Sequence, residues 1–383
     1  MKRTNNYSIL ILTHYYSYGP ADDLEWYLNK IMNVQRSTIV KIPLKSEENK
    51  VIITSYEKGE KIFERSFHFP SINTRIPSLE IAAKIIEYTL SIISITAEAK
   101  HYDIAIAQDP ITATIAIMLK QKNYISKVIL QSHNFTSPTR SKLYKFLDLY
   151  TTTHSDIVWC LSNRLAEIRR KLGAKYTVQT PICIRDDVID KTLNYTRRKS
   201  NDIVYIGSLS KDKGVDILLE LVKTFTKNGN DTIIHIVGKG LLYEKIFERI
   251  GEINKRVIYY GPQPLKRALQ IASRASLGVV LTRPSYESLT TDPMKPKVYL
   301  AAHTPVILPE YFEISSYVNR FKAGMVVGKL KPSYILSKVK VALEDSNTLL
   351  KGAERLAKSF NYWRCSQILS DIWQRTFEIL ELR

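Results

Sequence analysis

Short apolar runs alternate with amphipathic stretches at helical spacing along most of this chain, and that alternation admits few folds other than a parallel α/β sheet with helices on its faces. In the first half the strand-like runs are Ser8–Thr13, Thr38–Ile42, Asp103–Ala107, Lys127–Gln131 and Ile157–Leu161. Several are apolar on both faces, as strands covered on both sides must be. Helical periodicity lies between them, over Asp22–Met32, Ile81–Glu98, Thr112–Lys120, Arg140–Thr152 and Asn163–Leu172. The rhythm lapses over Tyr176–Ser200, which holds Pro181, Asp186, Asp187 and the basic run Arg197-Arg198-Lys199. It restarts at Asn201, with strands expected at Ile203–Ile206, Thr232–Val237, Val257–Tyr260, Leu277–Thr282, Pro305–Leu308 and Gly324–Val327. At the end, Trp363, Ile368, Leu369, Ile372, Trp373 and Phe377 recur every three to five residues, which predicts an amphipathic last helix.

A chain of 383 residues holds two domains of about 150 to 200 residues better than one. The lapse in periodicity places them at 1–185 and 201–362, with a linker at 186–200 and a terminal helix at 363–383. With 44% hydrophobic and 24% charged residues the composition is that of a globular protein. No apolar run reaches the roughly 18 residues that a membrane span needs. The first apolar stretch stops at Thr13 and His14 without a small-residue cleavage site, so it predicts a first strand rather than a signal peptide. Three scattered cysteines are too few for a disulfide framework or a zinc ribbon, which makes a reducing cytoplasm the expected compartment. The formal net charge of +19 attracts phosphate in any form: nucleotide, anionic lipid or nucleic acid.

Three segments of the second half suit phosphate. Ile206-Gly-Ser-Leu-Ser-Lys-Asp-Lys-Gly214 is a strand end, a short polar loop and a Lys-Gly step into a helix. Gly207 lets backbone approach a ligand, Lys213 supplies charge, and the helix start supplies unpaired N–H groups. One βα unit later comes Ile234-His-Ile-Val-Gly-Lys-Gly240, with Gly238 and Gly240, followed by Val257-Ile-Tyr-Tyr-Gly-Pro262, with Tyr260 and Gly261. A lone Gly-x-Gly without a third glycine does not indicate a dinucleotide cofactor. The third segment, Pro284 to Leu308, offers Ser285, Glu287, Thr290, Thr291, Lys295 and Tyr299 in a polar loop and a following helix.

In this order the segments resemble the donor-binding signature of the GT-B glycosyltransferases, in particular family 4 of the group 1 superfamily, with a divergent donor motif. The resemblance covers Asn201 to Trp363 and is only topological before that. It implies two facing Rossmann-like domains, a last helix that crosses back to the first domain, and a nucleotide-sugar as substrate. It assigns Gly207, Ser208, Lys213, Gly238, Gly240, Ser285, Thr290, Thr291, Lys295 and Tyr299 to donor binding, with Tyr260 and Gly261 beside the base. The chain departs from the pattern where Ser208 fills a slot often held by Arg, where Val298 replaces the second Glu of the Glu-x7-Glu pair, and where His303 replaces a Gly. Glu287 is the carboxylate offered for the first Glu, although the residue at the required spacing is Thr290.

On the acceptor side the candidates are polar residues at strand ends of the first half: His14 with the following Tyr18 and Gly19, then Asp109, then His133. Asp109 and His133 are the candidate bases for an acceptor hydroxyl in an inverting transfer. The seven histidines show no metal-ligand spacing and no Asp-x-Asp occurs, so no metal and no cofactor are expected. Arg140–Tyr150 mixes basic and aromatic residues in the manner of an interfacial helix, which makes contact with an anionic membrane an expectation for a cytoplasmic protein. The expected activity is therefore transfer of a hexosyl group from a nucleotide-sugar to a hydroxyl of a lipid-linked or surface glycan. Two alternatives stay open: a non-catalytic GT-B protein that binds nucleotide-sugar or glycan, and a nucleic-acid-modifying glycosyltransferase. No recognition motif of a nucleic-acid module is present, so nucleic acid is not an expected partner.

Overall fold

The computed structural model describes residues 6–14, 20–42, 50–68, 79, 81–83, 85–86, 89–90, 101–133, 141–190, 201–227, 231–240, 243–359 and 363–381. The chain divides into two units, one made of Met1–Pro181 with Cys365–Arg383 and the other of Ile182–Arg364.

The first unit is built on eight strands: β1 (Ser8–His14), β2 (Arg36–Ile42), β3 (Lys50–Glu57), β4 (Glu60–His68), β5 (Tyr102–Ala107), β6 (Ile125–Ser132), β7 (Ile157–Cys160) and β8 (Thr177–Gln179). They are ordered β4-β3-β2-β1-β5-β6-β7-β8. Ile9 to Leu12 of β1 have no solvent exposure, as an aliphatic central strand requires. From β1 the chain runs to β2 on one side and from β5 to β6 on the other, so the order of strands reverses between β1 and β5.

The expectation of a wholly parallel sheet is corrected at one edge, where β3 pairs antiparallel with both β2 and β4. The hairpin turns on Lys58 and Gly59 at φ 46° and 78°, and two consecutive left-handed residues give the turn whose twist matches the flanking strands. Mostly exposed and rich in charge, β4 makes an edge that resists further pairing. Charged and polar residues in β4, and an aliphatic run of only three residues in β3 (Val51–Ile53), hide it from a search for longer aliphatic runs.

Helix α1 (Pro20–Tyr27) follows β1, and α2 (Pro110–Gln121) follows β5. Asp109 caps α2, accepting from the amides of Ile111 and Thr112, while the Thr112 hydroxyl returns to the Asp109 amide and proline fills the first turn. Helix α3 (Lys142–His154) buries Leu147, Asp148, Thr151 and Thr152 and exposes Phe146, Leu149, Lys142 and Lys145. Helix α4 (Asn163–Lys171) precedes β8. Most of the helix expected over Ile81–Glu98 lies outside the described residues, as do Arg140, Tyr18 and Gly19. The last helix, Cys365–Leu380, packs in this unit: Trp373 meets Trp159 edge-on at 5.3 Å, Trp159 Nε1 donates to Thr376 Oγ1 at 3.0 Å, and Phe377 stacks on Tyr7 at 5.0 Å.

The second unit opens with α5 (Asp186–Asp190); the rest of the expected linker, 191–200, lies outside the described residues. Six parallel strands follow: β9 (Ile203–Ile206), β10 (Ile234–Val237), β11 (Val257–Tyr259), β12 (Leu277–Val279), β13 (Val306–Pro309) and β14 (Gly324–Val327). Their order is β11-β10-β9-β12-β13-β14, so here the reversal falls between β9 and β12. Helices α6 (Val215–Lys227), α7 (Glu244–Ile253), α8 (Leu265–Ala272), α9 (Met294–Ala301), α10 (Ile314–Phe321), α11 (Pro332–Glu344) and α12 (Ser346–Ser359) flank the sheet. Apolar clusters line both faces, one around Phe247 and Ile335, the other around Tyr299 and Trp363.

Candidate functional site

Ligands of open α/β sheets bind where the strand order reverses, because neighbouring loops diverge there and leave a crevice at the carboxyl ends of the strands. In the second unit the loops after β9, β10 and β11 stack backbone against backbone. The Gly207 amide donates to Val237 and the Gly238 amide to Gly261, both at 2.9 Å. Gly238 sits at φ 139°, and a Cβ there would lie 1.9 Å from the Gly207 carbonyl oxygen, so no other residue fits. Gly240 is similarly close to Leu209.

Lys295 crosses from the first turn of α9 to this stack. A Cβ on Gly207 would lie 2.2 Å from both its Cε and its Nζ, so the missing side chain at 207 is the space that the ammonium occupies. Its Nζ stands 5.4 Å from the centroid of the Tyr205 ring, and the Tyr205 hydroxyl is tied to the Ser208 carbonyl at 2.7 Å. Burial pushes the Lys295 pKa down to about 8; the positive Lys213 lowers it further, with Asp212 in opposition. Lys213 pairs with Asp212 at 2.8 Å and remains one-third exposed. Two cations thus converge on a glycine-lined strand end, with one of them largely stripped of water. An anion bound there is favoured by charge, and the start of α6 just beyond Gly214 adds N–H groups of the same sign.

The first unit carries a second cluster, again at the reversal. His14 ends β1, Asp109 follows β5 and His133 follows β6, so three adjacent strands deliver them. The His14 Nε2 meets Asp109 Oδ2 in a close ion-pair contact. Asp109 Oδ1 accepts from the amides of Ile111 at 2.6 Å and Thr112 at 3.0 Å. Burial pushes the Asp109 carboxyl up, but His14 and the two amides outweigh it and hold the group below the ordinary range. Burial pushes His133 down to about 4, with Asp109 raising and His14 lowering it, so its ring is neutral near pH 7. Among the described residues, its buried Nε2 has no hydrogen-bond partner. Beneath this face Thr13 donates to Gln108, and Gln108 to Gln131, a buried polar rung across the same three strands.

Residues 191–359 match the sequence model of a family described as Glycosyl transferases group 1. Over that span, 169 of 383 residues, the chain is similar to group 1 glycosyltransferases. No curated protein matches the sequence. Among solved structures, sucrose-phosphate synthase from Thermosynechococcus elongatus superposes with a TM-score of 0.71 at 14% identity, over 99% of this chain and 100% of that one. HepE from Anabaena in complex with UDP gives 0.67 at 14%, over 97% and 100%. The lipopolysaccharide outer core galactosyltransferase WaaB gives 0.60 at 15%, over 96% and 99%. Likeness at such identity concerns the fold, and the fold is GT-B.

Within the second unit the remaining donor candidates fall into two sets. Ser208, Ser285 and Glu287 are exposed; Ser285 exchanges hydrogen bonds with Ser288, and the Glu287 carbonyl accepts from the amides of Thr290 and Thr291. The Thr290 hydroxyl is buried and turned onto the carbonyls of Tyr286 and Glu287. Tyr260 is half-buried, its hydroxyl 3.0 Å from His235 Nδ1. Tyr299, expected to contact the donor, is fully buried. Its hydroxyl accepts from the Ile206 amide at 2.7 Å and donates to Val279 at 3.3 Å, and its ring lies against Gly278. It is a strut joining β9 to β12 beneath the cradle.

One feature of the second unit lies outside the candidates that the sequence offers. Lys297, with no exposure, pairs with the equally buried Asp292 and donates to the Ile182 carbonyl, while the Ile182 amide donates to Asp292 at 2.7 Å. The signal was present as a second lysine two residues after Lys295, and only helical phase separates the two: one turns to the cradle, the other into the protein.

Proposed function

We propose that this chain transfers a hexosyl group from a nucleotide-sugar to a hydroxyl of a glycan. The observation that carries this reading is Lys295 lying in the space left by Gly207 with Lys213 beside it: a built anion site at the strand reversal of the second unit. The diphosphate of a nucleotide-sugar fits its charge. As the anomeric bond breaks, negative charge grows on the leaving diphosphate, and preorganised cations and amides that need no rearrangement stabilise that change. In support, HepE was solved with UDP and glucose, a starch synthase catalytic domain with ADP and acarbose, and a pneumococcal O-GlcNAc transferase with UDP and GlcNAc.

The test is calorimetric titration with UDP, ADP and GDP. A bound diphosphate stabilises the ammonium of Lys295 and raises its pKa from about 8. Above about pH 8 the free protein has shed that proton, so binding takes one up, and affinity falls as pH rises through this range. Titration at pH 8.5 in buffers of different ionisation enthalpy reads the uptake, which Lys295→Met should remove. Binding of none of the three diphosphates rejects the reading.

The acceptor suits a lipid-linked or surface glycan met at an anionic membrane, where exposed Phe146 and Leu149 of α3 would insert beside Lys142 and Lys145. Co-sedimentation with vesicles containing phosphatidylglycerol, weak with neutral vesicles and weakened by Phe146→Glu, is the expected result. No described helix is long and apolar enough to cross a membrane.

A further inference from the structure

We propose that a cleft at the β8 edge of the first unit binds a small anionic saccharide through Arg170 and Arg375. The cleft has a volume of about 320 Å³ and lies between α4, β8 and the last helix, all within that one unit. Small-molecule sites typically occupy roughly 300–1,000 Å³, so the space suits a small ligand. The inference stands apart from the transferase reading and from the donor site.

The geometry of the sheet builds the cleft. Strand β8 ends the strand order and pairs with β7. The Val158 amide donates to the Tyr176 carbonyl at 2.9 Å and the Thr180 amide to the Cys160 carbonyl at 2.7 Å. In a parallel pair the residues between those contacts alternate, so the backbones of Thr177 and Gln179 turn to the side away from β7. Helices cover the two opposite faces beside this edge. Leu165 and Ala166 of α4 share a core with Val158 and Cys160 of β7. The last helix packs on Trp159, which points to the other face. Each helix lines the cleft with one arginine: Arg170, one turn beyond Ala166, and Arg375.

Among the described residues neither guanidinium has a hydrogen-bond or ion-pair partner. Glu378, on the same face of the last helix as Arg375, accepts instead from Gln374 Nε2 at 3.0 to 3.5 Å range contact of 3.2 Å. Two forked donors are thus left open in one cleft, and such forks match a carboxylate or a phosphate ester bidentately. The rest of the lining narrows the class. Asn163, Thr177 and Gln179 border the same space, and together with Glu378 they offer both donors and acceptors, as sugar hydroxyls require. No aromatic side chain is part of the lining, so a nucleobase has nothing to stack on. The Glu378 carboxylate opposes a bare polyanion. A hexose that carries one carboxylate or one phosphate ester meets both halves of this chemistry.

The test is calorimetric titration of the full chain at low salt with glucuronate and glucose 6-phosphate, with glucose and inorganic phosphate for comparison. At least one of the two acids should bind more tightly than either comparison ligand, and the one that does so names the anion. Arg170→Gln and Arg375→Gln should each weaken that binding by roughly 10- to 100-fold, the usual loss when a charged hydrogen-bonding partner is removed. Both side chains are exposed, so melting temperatures without ligand should hold. Lys295→Met should leave the affinity for the acid unchanged. Binding of neither acid, inorganic phosphate binding as tightly as the acids, an affinity insensitive to both arginine variants, or loss of binding in Lys295→Met overturns the proposal. No nucleotide enters these titrations, so their failure leaves the transferase reading intact, and failure to bind UDP, ADP or GDP leaves this site intact.

Discussion

Lys295→Met is expected to lower transfer by roughly 10²- to 10³-fold, the usual loss when one preorganised charge-stabilising donor is removed, and yet to make the protein more stable. Burial and Lys213 have moved the Lys295 pKa from 10.5 to about 8, so at pH 7 the folded state holds the cation at a cost of about 3 kcal/mol relative to water. The sign follows from proton counting. Between about pH 8 and 10.5 the unfolded chain keeps a proton that the folded chain has lost, so stability rises with pH across that window, and below it the full penalty is present. Methionine keeps much of the stem and removes the charge, so unfolding at pH 7 should shift upward by up to about 3 kcal/mol and lose its dependence on pH between 8 and 10.5. Denaturant unfolding of both proteins at pH 7 and pH 10 checks this. A variant that is inactive and also less stable would mean that Lys295 holds the fold together rather than waiting for an anion.

Asp292→Ala should have the opposite signature, a large loss of stability. Its carboxylate and the Lys297 ammonium are both buried, and burial pushes the acid up and the amine down. Removing one partner strands the other, which costs roughly 3–5 kcal/mol for a buried pair. In a unit of this size that lowers the melting temperature by about 10 °C. Replacing both residues together, Asp292→Leu with Lys297→Met, removes the stranded charge and should recover most of the loss, because a buried ion pair repays little more than its desolvation. Thermal melts of the single and double variants give the comparison, and a double variant as unstable as the single would assign the effect to the Ile182 amide that Asp292 also holds.

Much of the cluster around Gly207 was legible because its requirements are local. A glycine at a strand end, a Lys-Gly step before a helix, and a lysine in the first turn of the helix after β12 are each written within a few adjacent residues. Gly207, Lys213 and Lys295 meet as that pattern implies. Tyr299 was misread for a physical reason: the same motif residue can face the ligand or the sheet, and only packing against Gly278 shows which. Thr290 and Glu287 illustrate a related limit, since a polar loop residue can spend its hydroxyl or carbonyl on its own turn. The β3–β4 hairpin was missed because an edge strand with one exposed face has polar residues where a buried strand has aliphatic ones.

His14, Asp109 and His133 were each suspect as polar strand ends, 95 residues apart in the first case and 24 in the second. Sequence alone determined the α/β alternation and the glycine and lysine turns of the second unit, since periodicity and turn chemistry act between near neighbours. Tertiary structure alone decided that β1 lies next to β5 at the strand reversal, and so that His14 meets Asp109. Strand order is a property of how distant segments share one sheet, and whether a buried polar atom is already engaged depends on every neighbour that order brings to it.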